Sequence, residues 1–303
     1  MVIRRGIGHA RGVGSLLLFL ALAGIPLIVQ RQPSGAATSP STASVDLEAK
    51  ALAVAGPGYR YRKTDSLISS THGLPGGFTF MALLPKTREI WVAPDGSGRI
   101  RESVGEPVFL TERDRAAWQA AGSPNVFRGM NRDFGSGGLT YEDFNLYPTD
   151  PDVLHAMLRE QAARTQVPVD DETFIIVGDV ARMPGVLPDL SWALYEVARS
   201  ISGVEIMGEV TDRAGRRGVS VAKTHEYSGA KTRSALIFDP ATGALLAEEK
   251  AWLEPPAAFT HLATPVVVGY ATYLEASVVP EVPGEPLAPP PPAPTPFVSP
   301  ESR

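Results

Sequence analysis

Three short, glycine-containing segments most constrain how this chain can fold. They are PDGSG (94–98), DRAGR (212–216) and DPATG (239–243), and each lies between two segments with the character of β-strands. Each has an aspartate near its start and a glycine near its end, which is the preference of hairpin loops containing a left-handed residue. Connections this short can join only antiparallel neighbours. The sequence therefore predicts an antiparallel sheet built from hairpins.

Four helical segments interrupt this series of strands. Thr111 can cap the first, which Gly122 ends, and Thr149 or Asp150 starts the second. The third covers 171–183 and ends before Pro184, and the fourth covers 187–201. We expect an inward stripe on this last helix, formed by Leu190, Ala193, Leu194, Val197 and Ile201. Strand segments are predicted before these helices at 59–70, 76–84, 87–94 and 98–104, and after them at 204–212, 217–227, 233–239, 244–252 and 264–279.

The first thirty residues carry a separate signal. An uncharged run, residues 13–29, lies between Arg11 and Arg31, and as a helix it would be about 25 Å long, near the lower limit for a bilayer span. Three arginines precede the run and one follows it, which favours a cytoplasmic N-terminus. We interpret the run as a transmembrane signal anchor. A cleaved secretory signal and a buried soluble helix are the alternatives.

These signals divide the chain into five parts. Residues 1–12 form a basic cytoplasmic N-terminus, 13–29 the transmembrane helix, and 30–44 a flexible linker of small and polar residues. Residues 45–279 form an extracytoplasmic domain, and 280–303 a disordered, proline-rich tail that is either a spacer or a recognition segment. The predicted fold class is α+β: a transmembrane helix, then a curved, hairpin-rich antiparallel sheet, half-barrel-like, with helices packed on one face. The localisation that follows is the cell membrane, with a single pass and the main domain outside the cytoplasm.

Charge and cysteine content exclude several classes of function. The net charge is −5, and subtracting the four arginines of residues 1–31 leaves −9 for the remainder, so we expect no nucleic-acid partner. The chain has no cysteine, which excludes disulfides, thiol catalysis, thiolate metal sites and a lipidated-cysteine anchor.

Asp239 is the most conspicuous candidate for a catalytic carboxylate. A pepsin-like site requires a tight Asp-Thr/Ser-Gly triplet in two copies, so that two carboxylates share one proton. Here two residues separate Asp239 from Thr242, and no second copy exists. Pro240 and Gly243 suit a turn. The segment is therefore interpreted as a turn.

The remaining motifs supply no catalytic set. The five histidines (9, 72, 155, 225 and 261) lack metal-ligand spacing. The segment RDFGSGG (132–138) has a kinase-like Asp-Phe-Gly but no accompanying lysine-bearing strand, so a mobile loop is expected. No serine lies in G-x-S-x-G. We therefore predict no catalytic, cofactor-binding or metal-binding residue, no cofactor, and a protein that is not an enzyme; a site assembled from distant residues, such as that of an envelope hydrolase, is the least favoured alternative.

Aromatic and apolar residues leave one further possibility open. A loosely covered sheet face would create a cavity for an apolar ligand, whereas close packing would give a filled core, which is the more common case. The residues expected to line strands of one sheet are Phe78, Phe80, Ile90, Trp91, Ile237, Phe238 and Trp252.

Several motifs together resemble a known group of proteins. They are YRYR (59–62), EIWVAPDGSGR (89–99), YEDFNLYPTDPDVL (141–154), VTDRAGRRGV (210–219) and IFDPATG (237–243). With the basic N-terminus and the apolar run, they resemble an uncharacterised family of actinobacterial single-pass membrane-anchored proteins. The resemblance implies an association with extracytoplasmic-function sigma-factor systems. In outline, the exported domain is similar to the half-barrel of lipoprotein-carrier (LolA-like) and mycobacterial lipoprotein folds, although it lacks their lipidated cysteine.

The function expected from the sequence is binding or sensing outside the cytoplasm. The membrane partner is contacted through residues 13–29, and the exported domain binds a protein partner or a signal in envelope signalling. The alternative is a carrier or sensor of a hydrophobic, lipid-like ligand in a LolA-like cavity. Because fold does not determine function, neither role follows from the architecture alone.

Overall fold

The computed structural model describes residues 58–73, 79–124, 128–139, 144–227 and 229–284. The predicted transmembrane helix (13–29), the linker (30–44), Phe78 and most of the proline-rich tail lie outside these ranges. Within them, no helix has both the length and the apolar character needed to cross a membrane.

The nine described strands form one antiparallel, curved and open sheet. Their order across the sheet is β4-β3-β2-β1-β9-β8-β7-β6-β5. The α+β class and the hairpin-rich antiparallel sheet are thus confirmed. The strands are β1 (Tyr59–Gly73), β2 (Thr79–Val92), β3 (Gly98–Val104), β4 (Asn131–Phe134), β5 (Val204–Thr211), β6 (Arg217–Tyr227), β7 (Ala230–Phe238), β8 (Leu245–Glu254) and β9 (Val266–Val279).

Two sequence predictions about strands were wrong. The separate strands expected at 76–84 and 87–94 are one continuous strand, β2, because Pro85 lies within the ladder opposite Leu67 without ending it. The loop expected at 132–138 begins as the edge strand β4, which pairs with β3 from Arg101↔Asn131 to Gly98↔Phe134. Only its GSGG part, with Gly137 at φ +70°, forms a turn.

The first and last strands of the domain pair with each other. β1 lies between β2 and β9, and the β1–β9 ladder runs from Tyr59↔Val279 to Leu67↔Tyr270. It joins the meander β1–β4 to the meander β5–β9, so the sheet is continuous. Beyond β9 the chain stays against the sheet for a few residues, since the side chains of Arg99 and Arg101 donate to the carbonyl oxygen of Pro283 at 2.9 and 2.7 Å.

The four predicted helices are present among the described residues. They are α1 (Glu112–Ala120), α2 (Pro151–Ala162), α3 (Val169–Ala181) and α4 (Pro188–Ser200). Thr111 caps α1 by accepting from the Asp114 N–H, and Asp150 caps α2 by accepting from the N–H groups of Asp152 and Val153. α4 buries the predicted stripe of Leu190, Ala193, Leu194, Val197 and Ile201.

The face of the sheet beneath α2, α3 and α4 is filled with side chains. Leu154, Val177 and Leu194 from these helices pack with Leu236 and Phe238 of β7 in the largest core cluster. The aromatic residues expected on one sheet do not share one face, because side chains alternate along a strand. On β2, the side chain of Trp91 therefore lies on the opposite face of the sheet from that of Ile90. On β7, the side chain of Ile237 likewise lies on the opposite face from that of Phe238. Of the two alternatives, this cluster is therefore a filled core and not an apolar cavity.

Candidate functional site

The aspartate of DPATG belongs to a turn, as predicted. The Oδ1 atom of Asp239 accepts from the Ala241 N–H at 2.9 Å, and Oδ2 accepts from the Thr242 hydroxyl at 2.8 Å. Gly243 has φ +70° and donates its N–H to the Asp239 carbonyl oxygen at 2.8 Å. Because the side chain is occupied by the turn itself, it is not presented to a substrate.

The same chemistry forms the other two predicted hairpin turns. Asp95 accepts from the Ser97 N–H at 2.9 Å. Asp212 accepts from the N–H groups of Ala214 and Arg216, each at 2.9 Å, and also pairs with the Arg216 guanidinium. All three aspartates therefore have structural roles.

The described histidines lie apart from one another. The Ser70 hydroxyl contacts the ring of His72 at 2.8 Å, and the Ser200 hydroxyl contacts that of His155 at 3.2 Å. His225 lies on β6, where burial and the nearby Lys250 lower its pKa. Within the described part of the chain, no three histidine or carboxylate side chains are grouped so as to hold a metal ion.

A buried charged cluster beneath the end of α3 was not predicted from the sequence. Arg182, which follows α3, donates from Nε and Nη2 to the two carboxylate oxygens of Glu248 on β8, both at 2.9 Å. Arg182 also pairs with Asp179, and the Tyr273 hydroxyl donates to Glu248. Glu248 is only 6% exposed. The acids of this cluster are thus already engaged by a guanidinium and a phenol.

The electrostatics of this cluster follow from its burial. Burial alone would lower the pKa of Arg182, but the charges of Glu248 and Asp179 raise it well above its usual value. Burial and the neighbouring Glu248 raise the pKa of Tyr273, and burial raises that of Asp179 despite the nearby Arg182. For Lys250, burial lowers the pKa. Arg182 therefore stays protonated in a region where burial otherwise disfavours charge.

Arg62 on β1 lies beside this cluster without a carboxylate partner of its own. Its Nη1 donates to the carbonyl oxygen of Arg182, and its guanidinium carbon lies 4.9 Å from the centre of the Tyr273 ring. Its Nε is buried and makes no hydrogen bond. Burial lowers the pKa of Arg62, and the positive charge of Arg182 contributes in the same direction.

Arg62 lines a cleft of about 260 Å³, which we name the arginine cleft. It lies where β1 and β9 meet the loop between α3 and α4 and the start of β8. Its lining combines two arginines and two serines with small or apolar residues: Arg60, Arg62, Ala181, Gly185, Val186, Leu187, Ser191, Ala244, Leu245, Ala276, Ser277 and Val278.

Backbone geometry holds two walls of the arginine cleft in place. Gly185 has φ +82°, and a Cβ atom there would lie 2.4 Å from the Arg60 Cδ, so the loop rests directly on the arginine side chain. A Cβ atom on Gly243 would lie 2.5 Å from the Trp192 Cα. The 239–243 turn therefore packs against α4 and positions Ala244 and Leu245 in the cleft.

The start of α4 forms the third wall. This helix has Pro188 in its first turn, and no side chain caps its N-terminus. The first N–H groups of a helix have no intrahelical acceptor, and the helix dipole makes that end positive. Ser191 lies one turn into α4 and lines the cleft. Asp189, in the first turn, is exposed and does not line it.

Sequence reasoning could have found part of this site. Arg60 and Arg62 are two residues apart in a predicted strand, so they share a face of the sheet. The sequence does not show that this face is covered by the α3–α4 loop, nor that Glu248 lies beneath it. No site residue had been predicted here.

No protein-family model matches the chain, and no curated protein matches it. Solved structures similar to it include MucB in complex with MucA(peri), at a TM-score of 0.22 and 12% identity over 82% of this chain and 57% of that one. The Pseudomonas aeruginosa MucA/MucB complex gives a TM-score of 0.22 and 14% identity over 82% and 59% of the two chains.

A DUF1329 family protein from Desulfovibrio piger is also similar, at a TM-score of 0.16 and 10% identity over 80% of this chain and 94% of that one. The match to the two MucB structures covers less than two thirds of their chains. Likeness at these TM-scores carries no argument about the partners or ligands of the present chain. The resemblance to an actinobacterial membrane-anchored family stays a prediction.

Proposed function

We propose that the described domain is a binding domain without catalytic turnover, and that its ligand occupies the arginine cleft. The observation that carries this proposal is the lining of the cleft, in which Arg60 and Arg62 lie beside apolar side chains such as Leu187, Leu245 and Val278. Small-molecule sites typically combine apolar walls with a few positioned polar groups.

The chemistry of the lining supports binding rather than catalysis. General acid–base and nucleophilic mechanisms need a base within hydrogen-bond reach of the reacting group. The cleft-lining residues include no carboxylate, histidine or lysine, and its two serines, Ser191 and Ser277, make no described hydrogen bond to such a base. Guanidinium groups, by contrast, bind and orient ligands without changing protonation state.

The placement of this domain outside the cytoplasm is part of the proposal. It rests on the apolar run 13–29 with its flanking arginines, and the resemblance of the sequence motifs supports a role in envelope signalling or sigma-factor regulation through a protein partner. A carrier or sensor of a lipid-like ligand is the second candidate, with the ligand in the arginine cleft because the sheet face beneath the helices is filled. It is favoured by the apolar part of the cleft and by its partial openness at Val278, which is 56% exposed.

Membrane topology can be tested on intact cells. Protease added outside the cells will degrade residues 45–279, while an epitope placed before residue 13 stays protected until the cells are permeabilised. Protection of both regions, or fractionation of the mature chain into the cytosol, would contradict the extracytoplasmic assignment.

Ligand binding can be tested by a fragment screen. The full chain, held in zwitterionic lipid nanodiscs, is mixed with neutral, cationic and anionic fragments and observed by ligand-detected NMR. We expect saturable hits that Ala276→Phe weakens by about tenfold or more, because the added ring fills the small cleft. Ala258→Phe, at an exposed alanine outside the cleft, is the matched control and should leave the hits unchanged.

The two variants also separate the outcomes. If fragments bind Ala276→Phe as well as they bind the wild type, the ligand binds outside the arginine cleft. If no fragment binds the wild type, the proposed function is contradicted. Fragments consumed by the wild type but left intact by Ala276→Phe would show an enzyme instead of a binding domain.

A further inference from the structure

We propose that the arginine cleft binds an anionic headgroup, a carboxylate or a phosphate, carried by a small and partly apolar molecule. This inference rests on the proposed function, because it names the class of ligand for the same cleft. It depends on Arg62, on the balance of charges around Arg62, and on the uncapped start of α4.

The first argument is the unsatisfied guanidinium of Arg62. The residue is only 9% exposed, and its buried Nε has no hydrogen-bond partner in the structure. A buried polar group without a partner costs free energy, and the cost is larger for a charged group. An anion in the cleft would lie beside the Arg62 side chain, and guanidinium groups bind carboxylates and phosphates through paired hydrogen bonds.

The second argument is the local balance of charges. The acid that acts electrostatically on Arg62 is Glu248, and its two carboxylate oxygens accept from Arg182. Lys250 adds a further basic group on the same side of β8. The cleft-lining residues include no carboxylate, so no acid in the lining offsets the positive charge of Arg62, even though the chain as a whole is acidic. A bound anion would offset this charge.

The third argument is the orientation of α4. Its N-terminus borders the cleft through Leu187 and Ser191, and no side chain caps it. The dipole of a helix of 13 residues directs a partial positive charge toward an anion at this end. Arg62 lines the same cleft from β1, so two separate elements bring positive charge to it.

The dimensions of the cleft set the size of the ligand. Drug-sized ligands occupy roughly 300–1,000 Å³, and the arginine cleft, at about 260 Å³, is slightly smaller. It has room for one anionic group and a short apolar portion. Val186, Leu187, Leu245 and Val278 would contact the apolar portion.

Isothermal titration of the full chain in zwitterionic nanodiscs tests this inference with four soluble probes. Benzoate and phenyl phosphate carry the two candidate anions on an apolar ring, benzyl alcohol is the neutral analogue, and inorganic phosphate lacks the ring. We expect at least one aromatic anion to bind roughly tenfold more tightly than benzyl alcohol and than inorganic phosphate, with an affinity that falls as salt is added. The tighter of the two aromatic anions identifies the headgroup.

Ser191 offers a variant that disturbs the ligand without removing an arginine from the fold. Ser191→Asp places a carboxylate in the cleft at the positive end of α4, where it should not lower the melting temperature. It should weaken binding of the aromatic anion by about tenfold, because the new carboxylate repels the anion and interacts with the same positive groups of the cleft. Ser191→Asn has the shape of the aspartate variant without its charge, so it is the reference: Ser191→Asp should bind the aromatic anion about tenfold more weakly than Ser191→Asn.

The outcomes separate this inference from the proposed function. Equal binding of benzyl alcohol and the aromatic anions, or unchanged anion affinity in Ser191→Asp, would overturn the inference while leaving a ligand-binding cleft. Tighter binding of inorganic phosphate than of phenyl phosphate would contradict the proposal that the ligand has an apolar portion. If none of the four probes binds, while cationic fragments bind in a manner sensitive to Ala276→Phe, the cleft has the opposite selectivity and the inference is wrong.

Discussion

Replacing Glu248 by glutamine will lower the free energy of unfolding by about 3–5 kcal/mol, the usual cost of removing one partner of a buried ion pair. The carboxylate accepts two hydrogen bonds from Arg182 and one from Tyr273. Without its charge, the largely buried Arg182 loses the carboxylate that accepts two of its hydrogen bonds. Urea denaturation of the full chain in nanodiscs, followed by tryptophan fluorescence, measures the change.

The adjacent residue provides a matched control. Glu249 lies on the opposite side of β8, is half-exposed, and contacts Arg213 at 3.5 Å. Glu249→Gln removes the same charge from a surface pair and should change stability by less than about 1 kcal/mol. A loss of that small size in Glu248→Gln would contradict the interpretation of the cluster as a buried, charged pair.

A double variant shows whether the loss comes from the unpaired arginine. Adding Arg182→Met to Glu248→Gln removes the charge that has lost its partner, so the double variant should lose less stability than the sum of the two single variants, by about 1 kcal/mol or more. Strict additivity would mean that the two side chains stabilise the fold independently.

Replacing Gly243 by alanine will lower the free energy of unfolding by about 2–5 kcal/mol. Alanine at a positive φ costs about 1–2 kcal/mol, and forcing a side chain into a packed site costs about 1–3 kcal/mol more. Both conditions hold at Gly243, where φ is +70° and the added Cβ would lie 2.5 Å from the Trp192 Cα. The same denaturation experiment measures this loss.

Gly215 is the matched control for this change. It ends the equivalent hairpin turn with φ +81°, but a Cβ atom there meets nothing within 4 Å. Gly215→Ala should therefore cost only the conformational part, about 1–2 kcal/mol. Equal losses in the two variants would show that packing of the 239–243 turn against α4 contributes little.

Comparison of these two glycines shows what local sequence can and cannot predict. Both were assigned to hairpin turns from an aspartate at the start and a glycine at the end, and both assignments are confirmed. Their difference in packing has no signal in the sequence, because Trp192 is about fifty residues away from Gly243 and reaches it only through the position of α4 on the sheet.

The buried residues near the charged cluster also include some that local sequence predicts and some that it does not. Burial of Leu194 and Val197 was predictable, since an apolar stripe at helical spacing must face a core. Burial of Arg62, Arg182 and Glu248 could not be predicted, because charged residues are usually exposed. Nothing in the sequence around these three residues distinguishes them from charged residues on a protein surface. They meet only because β1 pairs with β9 and α3 ends above β8.

By itself, the sequence determined most of the strands, the hairpin turns, the helices and their inward faces, since alternation, helical spacing, caps and turn residues all act over a few positions. The tertiary structure decided which strands became neighbours, that β4 extends the sheet, and that two arginines of β1 face the start of α4. These contacts join segments that lie far apart in the sequence, from β3 and β4 up to Tyr59 and Val279 at the two ends of the sheet domain, and their energies depend on burial and on partners that no local pattern specifies.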